Sequence, residues 1–160
     1  MAKNPDPALQ ITTSTGVTRS LDDWTTMFHL CLVVLPARPE AAAFTPIARH
    51  IFATLGDADC TTAYVVTGPA AVAERILGPD EQAEVTFLDP DLELVTSLGL
   101  ERLPAFVHLR QDTTLAAATE GWDPHEWQRV AHEVGTAMAW TVPEVAAAGG
   151  PPAFGGWPTA

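Results

Sequence analysis

The sequence is poor in cysteine and in basic residues, and both shortages narrow the functions open to it. Its 160 residues include two cysteines, and eight Lys and Arg stand against 20 Asp and Glu, for a formal net charge of −12. Nucleic-acid binding needs clustered cations that displace counterions from phosphates, so we expect no nucleic-acid partner. Two cysteines far apart in sequence, Cys31 and Cys60, are typical of free thiols, and we expect a cytoplasmic protein.

Long apolar runs are also missing. No apolar run reaches the roughly 20 residues that span a bilayer. The first residues lack the basic stretch and apolar run of a signal peptide. We therefore predict no membrane span. The apolar content of 47% suffices for one core, and the length indicates one domain. We predict a flexible N-terminal arm over residues 1–17, a domain over residues 18–140, and an extended Pro- and Gly-rich tail over residues 141–160.

Within the domain, segments with strand-like and helix-like patterns alternate. Short apolar, β-branched runs are typical of strands that are covered on both faces, and helical spacing follows most of them. Asp123 predicts the N-cap of a last helix. This order predicts an α/β fold: one mixed sheet, mostly parallel with a C-terminal antiparallel hairpin, flanked by helices on both faces. The predicted strands are residues 29–36, 61–68, 83–90, 105–110 and 114–119.

Three features carry a resemblance to a known fold. Pro46 lies inside the helical segment after the first core strand, residues 99–107 include Leu-Pro before a strand, and Gly-Trp at 121–122 precedes the last helix. This combination resembles the thioredoxin-like superfamily, and the extra strand and helix at 61–78 resemble the insertion of its TlpA and peroxiredoxin branches. The resemblance implies a cis peptide bond before Pro104, at the first position of a strand, where no ladder hydrogen bond is lost.

The redox motif of that superfamily is missing. Its oxidoreductases carry Cys-x-x-Cys at the start of the bent helix, where the helix N-terminus lowers the pKa of the first thiol. Arg38 and Ala41 occupy those two positions here. Cys31 lies in an apolar strand and Cys60 just before another, and we assign both structural roles because free cysteine is commonly buried. The sequence therefore does not favour an enzyme.

The main hypothesis is a non-catalytic thioredoxin-like protein that acts as an interaction or assembly module. Its partner would be another protein, held by the groove beside Pro104 and by the tail. Residues 19–24 and 32–36 also resemble accessory proteins of uptake-hydrogenase assembly, and a homodimer is a further option. We predict no cofactor and no metal site, because the five histidines lack ligand spacing. The predicted binding groove consists of Arg38, Pro39, Glu40, Ala41, Leu103 and Pro104.

Two alternatives stay open. In the first, the chain is an atypical thiol-dependent oxidoreductase that uses Cys60. In the second, Arg38 binds a small anion beside a helix N-terminus, although an arginine in a loop is more commonly just solvated. The aromatic residues Trp140, Phe154 and Trp157 stand beside Pro and Gly in nearly uncharged segments. Such residues either fold back on the domain or face a partner, and folding back is favoured for Trp140.

Overall fold

The computed structural model describes residues 1–159, and its elements are as follows. The strands are β1 (Gln10–Thr13), β2 (Thr18–Ser20), β3 (His29–Leu35), β4 (Cys60–Val66), β5 (Val85–Leu88), β6 (Arg102–Leu103), β7 (Ala105–Leu109), β8 (Leu115–Glu120) and β9 (Trp157–Pro158). The helices are α1 (Leu21–Thr25), α2 (Thr45–Leu55), α3 (Ala70–Leu77), α4 (Asp80–Ala83), α5 (Glu93–Ser97) and α6 (Pro124–Met138). Two 3₁₀ segments cover Pro39–Phe44 and Val145–Ala148.

Seven strands form one mixed sheet in the order β2-β1-β5-β4-β3-β7-β8. β3, β4 and β5 are parallel, whereas β7 and β8 form the C-terminal antiparallel hairpin. β6 and β9 make a separate antiparallel pair. The predicted α/β class with a mixed sheet and a C-terminal hairpin is confirmed.

β3 shows why the sheet is covered on both faces. Its residues alternate between two cores, since Cys31, Val33 and Leu35 point into one and Leu30, Leu32 and Val34 into the other. The first core is closed by α2, α3 and α6, and the second by α1 and α5. A strand buried on both faces has no polar positions, which explains its continuous apolar run.

The structure corrects the prediction of a flexible arm over residues 1–17. β1 pairs antiparallel with both β2 and β5, so this segment extends the sheet. Further toward the N-terminus, Lys3 N donates to Leu98 O at 2.8 Å, and the Asn4 side chain accepts from Leu115 N at 2.9 Å. β1 is a short, threonine-rich strand, so its alternation is too brief to stand out in the sequence.

The bend expected at Pro46 is a boundary between two elements. α2 begins at Thr45, so Pro46 lies in its first turn, where a missing N–H leaves no carbonyl unpaired. The 3₁₀ segment Pro39–Phe44 precedes it directly. The proline therefore starts a helix and does not interrupt one.

The tail returns to the domain. Val145 is fully buried in the core that α2 and α6 close, and β9 pairs with β6 further along. Within residues 1–159, no helix has both the length and the apolar character needed to cross a bilayer.

Candidate functional site

The predicted groove residues flank the sheet end where β3 stops. β7 runs antiparallel to β3 and pairs Ala105 with Val34, so the residues before β7 lie beside those that follow β3. The peptide bond between Leu103 and Pro104 is cis, as predicted. We call the surface formed by Arg38, Leu103, Pro104 and Trp122 the cis-proline groove.

The Arg38 guanidinium in the turn beside this groove already has two partners. The Arg38 Nε donates to Glu40 Oε2 at 3.1 Å, and its guanidinium carbon lies 4.6 Å from the centre of the Trp157 ring. Pro39 is exposed, whereas Ala41 is buried. The anion-binding alternative at Arg38 stays a prediction, and an anion there would compete with the Glu40 carboxylate for the guanidinium.

The three aromatic residues of the tail all contact the domain. Phe154 and Trp157 pack against the buried ring of Phe44, with ring centres 6.2 and 6.1 Å from it. The indole N–H of Trp140 donates to Thr54 O at 2.7 Å, although the residue is 41% exposed. In this structure the tail binds its own domain.

A second group of side chains lies at the opposite end of the sheet, where β3 and β4 begin. β4 places Cys60 in register with His29, and β7 places His108 in register with Cys31. Glu133 of α6 covers this face and contacts His108. We call these five residues, His29, Cys31, Cys60, His108 and Glu133, the amino-end cluster.

The two thiols of the cluster interact with each other. A hydrogen bond from Cys31 lowers the pKa of Cys60, while burial and Asp59 oppose that shift. The same hydrogen bond, followed by burial, raises the pKa of Cys31 well above its ordinary value. Cys31 is fully buried and Cys60 is 9% exposed. Cys60 is therefore the thiol that ionises first and lies nearer to solvent.

A chain of hydrogen bonds runs through the same cluster. Nδ1 of His108 lies 2.6 Å from Glu133 Oε2, and its Nε2 lies 2.8 Å from Nδ1 of His29. A carboxylate only accepts, so Nδ1 of His108 carries a hydrogen, whereas its Nε2 and Nδ1 of His29 share one hydrogen whose donor depends on the tautomer. Burial, followed by the neighbouring His108, lowers the pKa of His29. His29 is therefore largely neutral at pH 7, and its Nε2 accepts a proton in the tautomer in which Nδ1 donates to His108.

A cavity of about 270 Å³ opens beside the cluster. Its walls include His29, the strand partner of Cys60, and Asp59, its neighbour in sequence. The Met27, Gln111 and Met138 side chains complete much of the rim. A more spacious cavity of about 690 Å³ lies at the β1–β5 edge, and its lining holds no cysteine or histidine. The smaller cavity therefore borders the amino-end cluster through His29, although neither thiol is among its lining residues.

The sequence gives only a partial signal for the amino-end cluster. The assignment of separate structural roles to Cys31 and Cys60 misses their contact, and the histidines look scattered along the chain. His108 is a titratable residue in β7, whose five residues are all buried. A buried polar side chain usually has a hydrogen-bond partner, so His108 is expected to have one. His29 and Cys31 also have same-face spacing. The register that brings Cys60 beside them cannot be read from the sequence.

Removing the thiol donor should change the ionisation of Cys60. In a Cys31→Ala variant we expect the pKa of Cys60 to rise, because the hydrogen bond is lost while burial and Asp59 remain. Cys31→Ser keeps an O–H donor and is the matched control. The pH dependence of alkylation by iodoacetamide measures both variants, and the rate at a given pH should be lower for Cys31→Ala. Equal midpoints in the two variants would contradict the assignment.

Comparison with known proteins places the chain by its fold. No protein-family model matches it, and no curated protein sequence does. A protein assigned as the thiol:disulfide interchange protein DsbE from Chlorobium tepidum matches with a TM-score of 0.70 and 15% identity, over 86% of this chain and 98% of that chain. A secreted Mycobacterium tuberculosis disulfide oxidoreductase matches with a TM-score of 0.62 and 16% identity, over 81% and 96% of the two chains.

Peroxiredoxins are also among the similar structures. Peroxiredoxin Q from Xanthomonas campestris matches with a TM-score of 0.65 and 12% identity, over 81% of this chain and 91% of that chain. The chain thus has the thioredoxin-like fold that its sequence predicts.

These comparisons contradict the prediction of a non-catalytic interaction module. The similar structures are of proteins described as disulfide oxidoreductases and peroxiredoxins, and none of these descriptions is of a non-catalytic module. The missing Cys-x-x-Cys motif led to that prediction, because Cys31 and Cys60 looked like isolated thiols. Their positions on the same face of adjacent strands remove this premise.

Proposed function

We propose that the chain is a thiol-dependent oxidoreductase whose working thiols are Cys60 and Cys31. The observation that carries this function is the placement of two free cysteines on the same face of adjacent strands, where each thiol shifts the pKa of the other. Thiol–disulfide exchange that ends in an internal disulfide requires a thiolate and a second thiol next to it. The names of the similar structures support the same chemistry.

The exchange would proceed in two substitutions at sulfur. The Cys60 thiolate attacks one sulfur of a substrate disulfide, forms a mixed disulfide and releases the other sulfur as a thiolate. Cys31 then loses its proton to the released thiolate and attacks the Cys60 sulfur. The second substrate thiolate leaves, and a Cys31–Cys60 disulfide remains. Two electrons pass from the protein to the substrate, and an external dithiol returns the protein to its reduced form.

The remaining members of the amino-end cluster would support the ionisation of Cys60. His29 lies in register with Cys60, is neutral at pH 7 and lines the adjoining cavity. The hydrogen bonds from Glu133 through His108 hold its ring orientation. We assign His29 as the proton acceptor for the Cys60 thiol, with His108 and Glu133 as positioning residues.

The test is whether the two thiols form a disulfide in the full-length protein. The reduced protein is incubated with oxidised glutathione, quenched in acid, denatured and alkylated, and then mapped by mass spectrometry. We expect wild type to lose both alkylatable thiols and to yield one linked peptide that contains Cys31 and Cys60. Cys31→Ser should stop at a glutathione adduct on Cys60, because the resolving thiol is gone. Cys60→Ser should remain unmodified.

Insulin reduction by dithiothreitol gives the matching activity assay. Wild type should accelerate it, and both single serine variants should fall to the uncatalysed rate. Two free thiols in wild type after prolonged oxidation, together with no acceleration of insulin reduction, would overturn the proposed function.

A further inference from the structure

Asp59 is the acidic residue beside the amino-end cluster. It directly precedes Cys60 and lines the cavity of about 270 Å³ that His29 also lines. The residue is exposed, and within residues 1–159 its carboxylate forms no ion pair with a basic side chain. Cys31 lowers the pKa of Cys60, whereas burial and then the charge of Asp59 act in the opposite direction. A molecule that reaches the Cys60 sulfur therefore comes close to an uncompensated negative charge.

No cation offsets this charge in the described lining of the cavity, which includes neither lysine nor arginine. Arg110 adjoins the lining in sequence, but its guanidinium donates to the Leu115 carbonyl oxygen at 3.1 Å, in the turn after β7. Asp112, two residues further on, carries the opposite charge. Because His29 is largely neutral at pH 7, Asp59 supplies the formal charge of the described lining.

The size of the cavity and two apolar side chains restrict the molecule that it accepts. Its volume of about 270 Å³ is at the small end for a ligand pocket, for which roughly 300–1,000 Å³ is usual. Met27 and Phe28 also line it, and they are 72% and 40% exposed. Short methylene segments can pack against such side chains, whereas a carboxylate would lie unpaired between them and Asp59.

We propose that the amino-end cluster acts on small disulfides that carry an ammonium group a few bonds from sulfur, and that Asp59 is the residue that selects their charge. The inference rests on the proposed function, because Cys60 must be the attacking thiol. Anionic disulfides are the disfavoured class. The net charge of −12 repels them during approach as well.

The selected substrate would react by the exchange already described. The Cys60 thiolate bonds to one substrate sulfur, the substrate S–S bond breaks, and its electron pair leaves with the other sulfur as an aminoalkanethiolate. This thiolate takes the proton of Cys31, which then attacks the Cys60 sulfur. The second aminoalkanethiolate leaves and takes the proton that Cys60 gave to His29. The substrate gains two electrons and the protein loses them. Asp59 attracts the ammonium group before the substrate S–S bond breaks, so it is a specificity-determining residue.

The experiment compares two short disulfides of opposite charge, cystamine and dithiodiglycolate. In full-length Cys31→Ser protein each reaction stops at a mixed disulfide on Cys60, and intact mass spectrometry after an acid quench gives its rate. The ratio of the two rates is divided by the same ratio for β-mercaptoethanol, a neutral thiol, which removes the difference in intrinsic reactivity. We expect a corrected preference for cystamine of about tenfold or more at low salt. Most of it should disappear at about 1 M salt, where the Debye length is about 3 Å.

Adding Asp59→Asn should lower the corrected preference by about tenfold, because the attracting charge is lost. This substitution also favours the Cys60 thiolate, so both rates can rise, but their ratio does not depend on the thiolate fraction. Asp57→Asn is the matched control. Asp57 is also exposed and lies two residues away, but it is not a lining residue of the cavity. Its substitution should change the preference by about twofold or less.

The possible failures separate the inference from the proposed function. If Cys60 reacts with both disulfides at equal corrected rates, or faster with dithiodiglycolate, the charge selection is wrong while the thiol chemistry stands. The same holds if Asp59→Asn changes the preference no more than Asp57→Asn does. If Cys60 reacts with neither disulfide in protein that thermal unfolding shows to be folded, the thiol chemistry is wrong and the charge selection is overturned with it.

Discussion

Replacement of Trp127 by alanine is expected to lower the free energy of unfolding by about 3–5 kcal/mol, the usual loss for a buried tryptophan. The side chain is fully buried on α6, and its ring centre lies 5.3 Å from Phe106 and 5.1 Å from Trp122. Its indole N–H donates to Gly121 O at 2.9 Å. The substitution would leave a cavity between α6 and β7 and an unpaired carbonyl beside the cis-proline groove.

Trp140→Ala is the matched control for this prediction. Trp140 also donates its indole N–H to a backbone carbonyl, but it is 41% exposed and leaves no enclosed cavity. We expect a loss of about 1 kcal/mol or less. Urea denaturation of both variants measures the difference. A loss for Trp127→Ala as small as that for Trp140→Ala would contradict the packing described here.

Replacement of Glu133 by leucine is expected to lower the free energy of unfolding by about 1–3 kcal/mol, because a buried donor loses its acceptor. His108 is fully buried, and both of its ring nitrogens are engaged, one by Glu133 and one by His29. Leucine cannot accept from Nδ1 of His108. Glu133→Gln keeps an accepting oxygen and should recover most of the loss.

Glu126→Leu on the same helix provides the control for Glu133→Leu. Glu126 pairs with Arg129 one turn away at 2.8 Å, and both side chains are about half exposed. We expect a change of about 0.5 kcal/mol or less. Thermal unfolding of the three variants at pH 7 measures the series. Equal effects of Glu133→Leu and Glu126→Leu would show that the hydrogen bond to His108 does not stabilise the fold.

Local signals in the sequence predicted the elements whose ends are marked by particular residues. Asp123 caps α6 by accepting from His125 N at 2.9 Å, as the sequence indicates. Pro104 follows a cis bond where the resemblance to thioredoxin-like proteins implies one. Glu126 stands three residues after this N-cap, where a capping box would have it reach back, but it accepts from Arg129 instead. An exposed side chain in the first turn of a helix can bond to several partners with similar interaction energies. Sequence spacing therefore does not determine which partner it binds.

The amino-end cluster and β1 depend on pairing between distant segments. β1 becomes a strand because β2 and β5 flank it, not because of its own four residues. Cys60 meets Cys31 only because β3 and β4 pair with His29 opposite Cys60. A shift of one residue would turn one thiol to the other face of the sheet. Periodicity within a segment carries no information on that register, so the sequence alone could not join these residues.

The position of Cys31 and Cys60 has a topological consequence. The chain between them runs through α2 and through the turn that carries Arg38. A covalent bond between the sulfurs would close this stretch into a ring and would tie the two central strands together. Unfolded chains lose freedom when such a ring is closed, by roughly 3–4 kcal/mol for a ring of this size. A single backbone cleavage within α2 would then leave the oxidised protein in one covalent piece, while the reduced protein would separate into two fragments on denaturation.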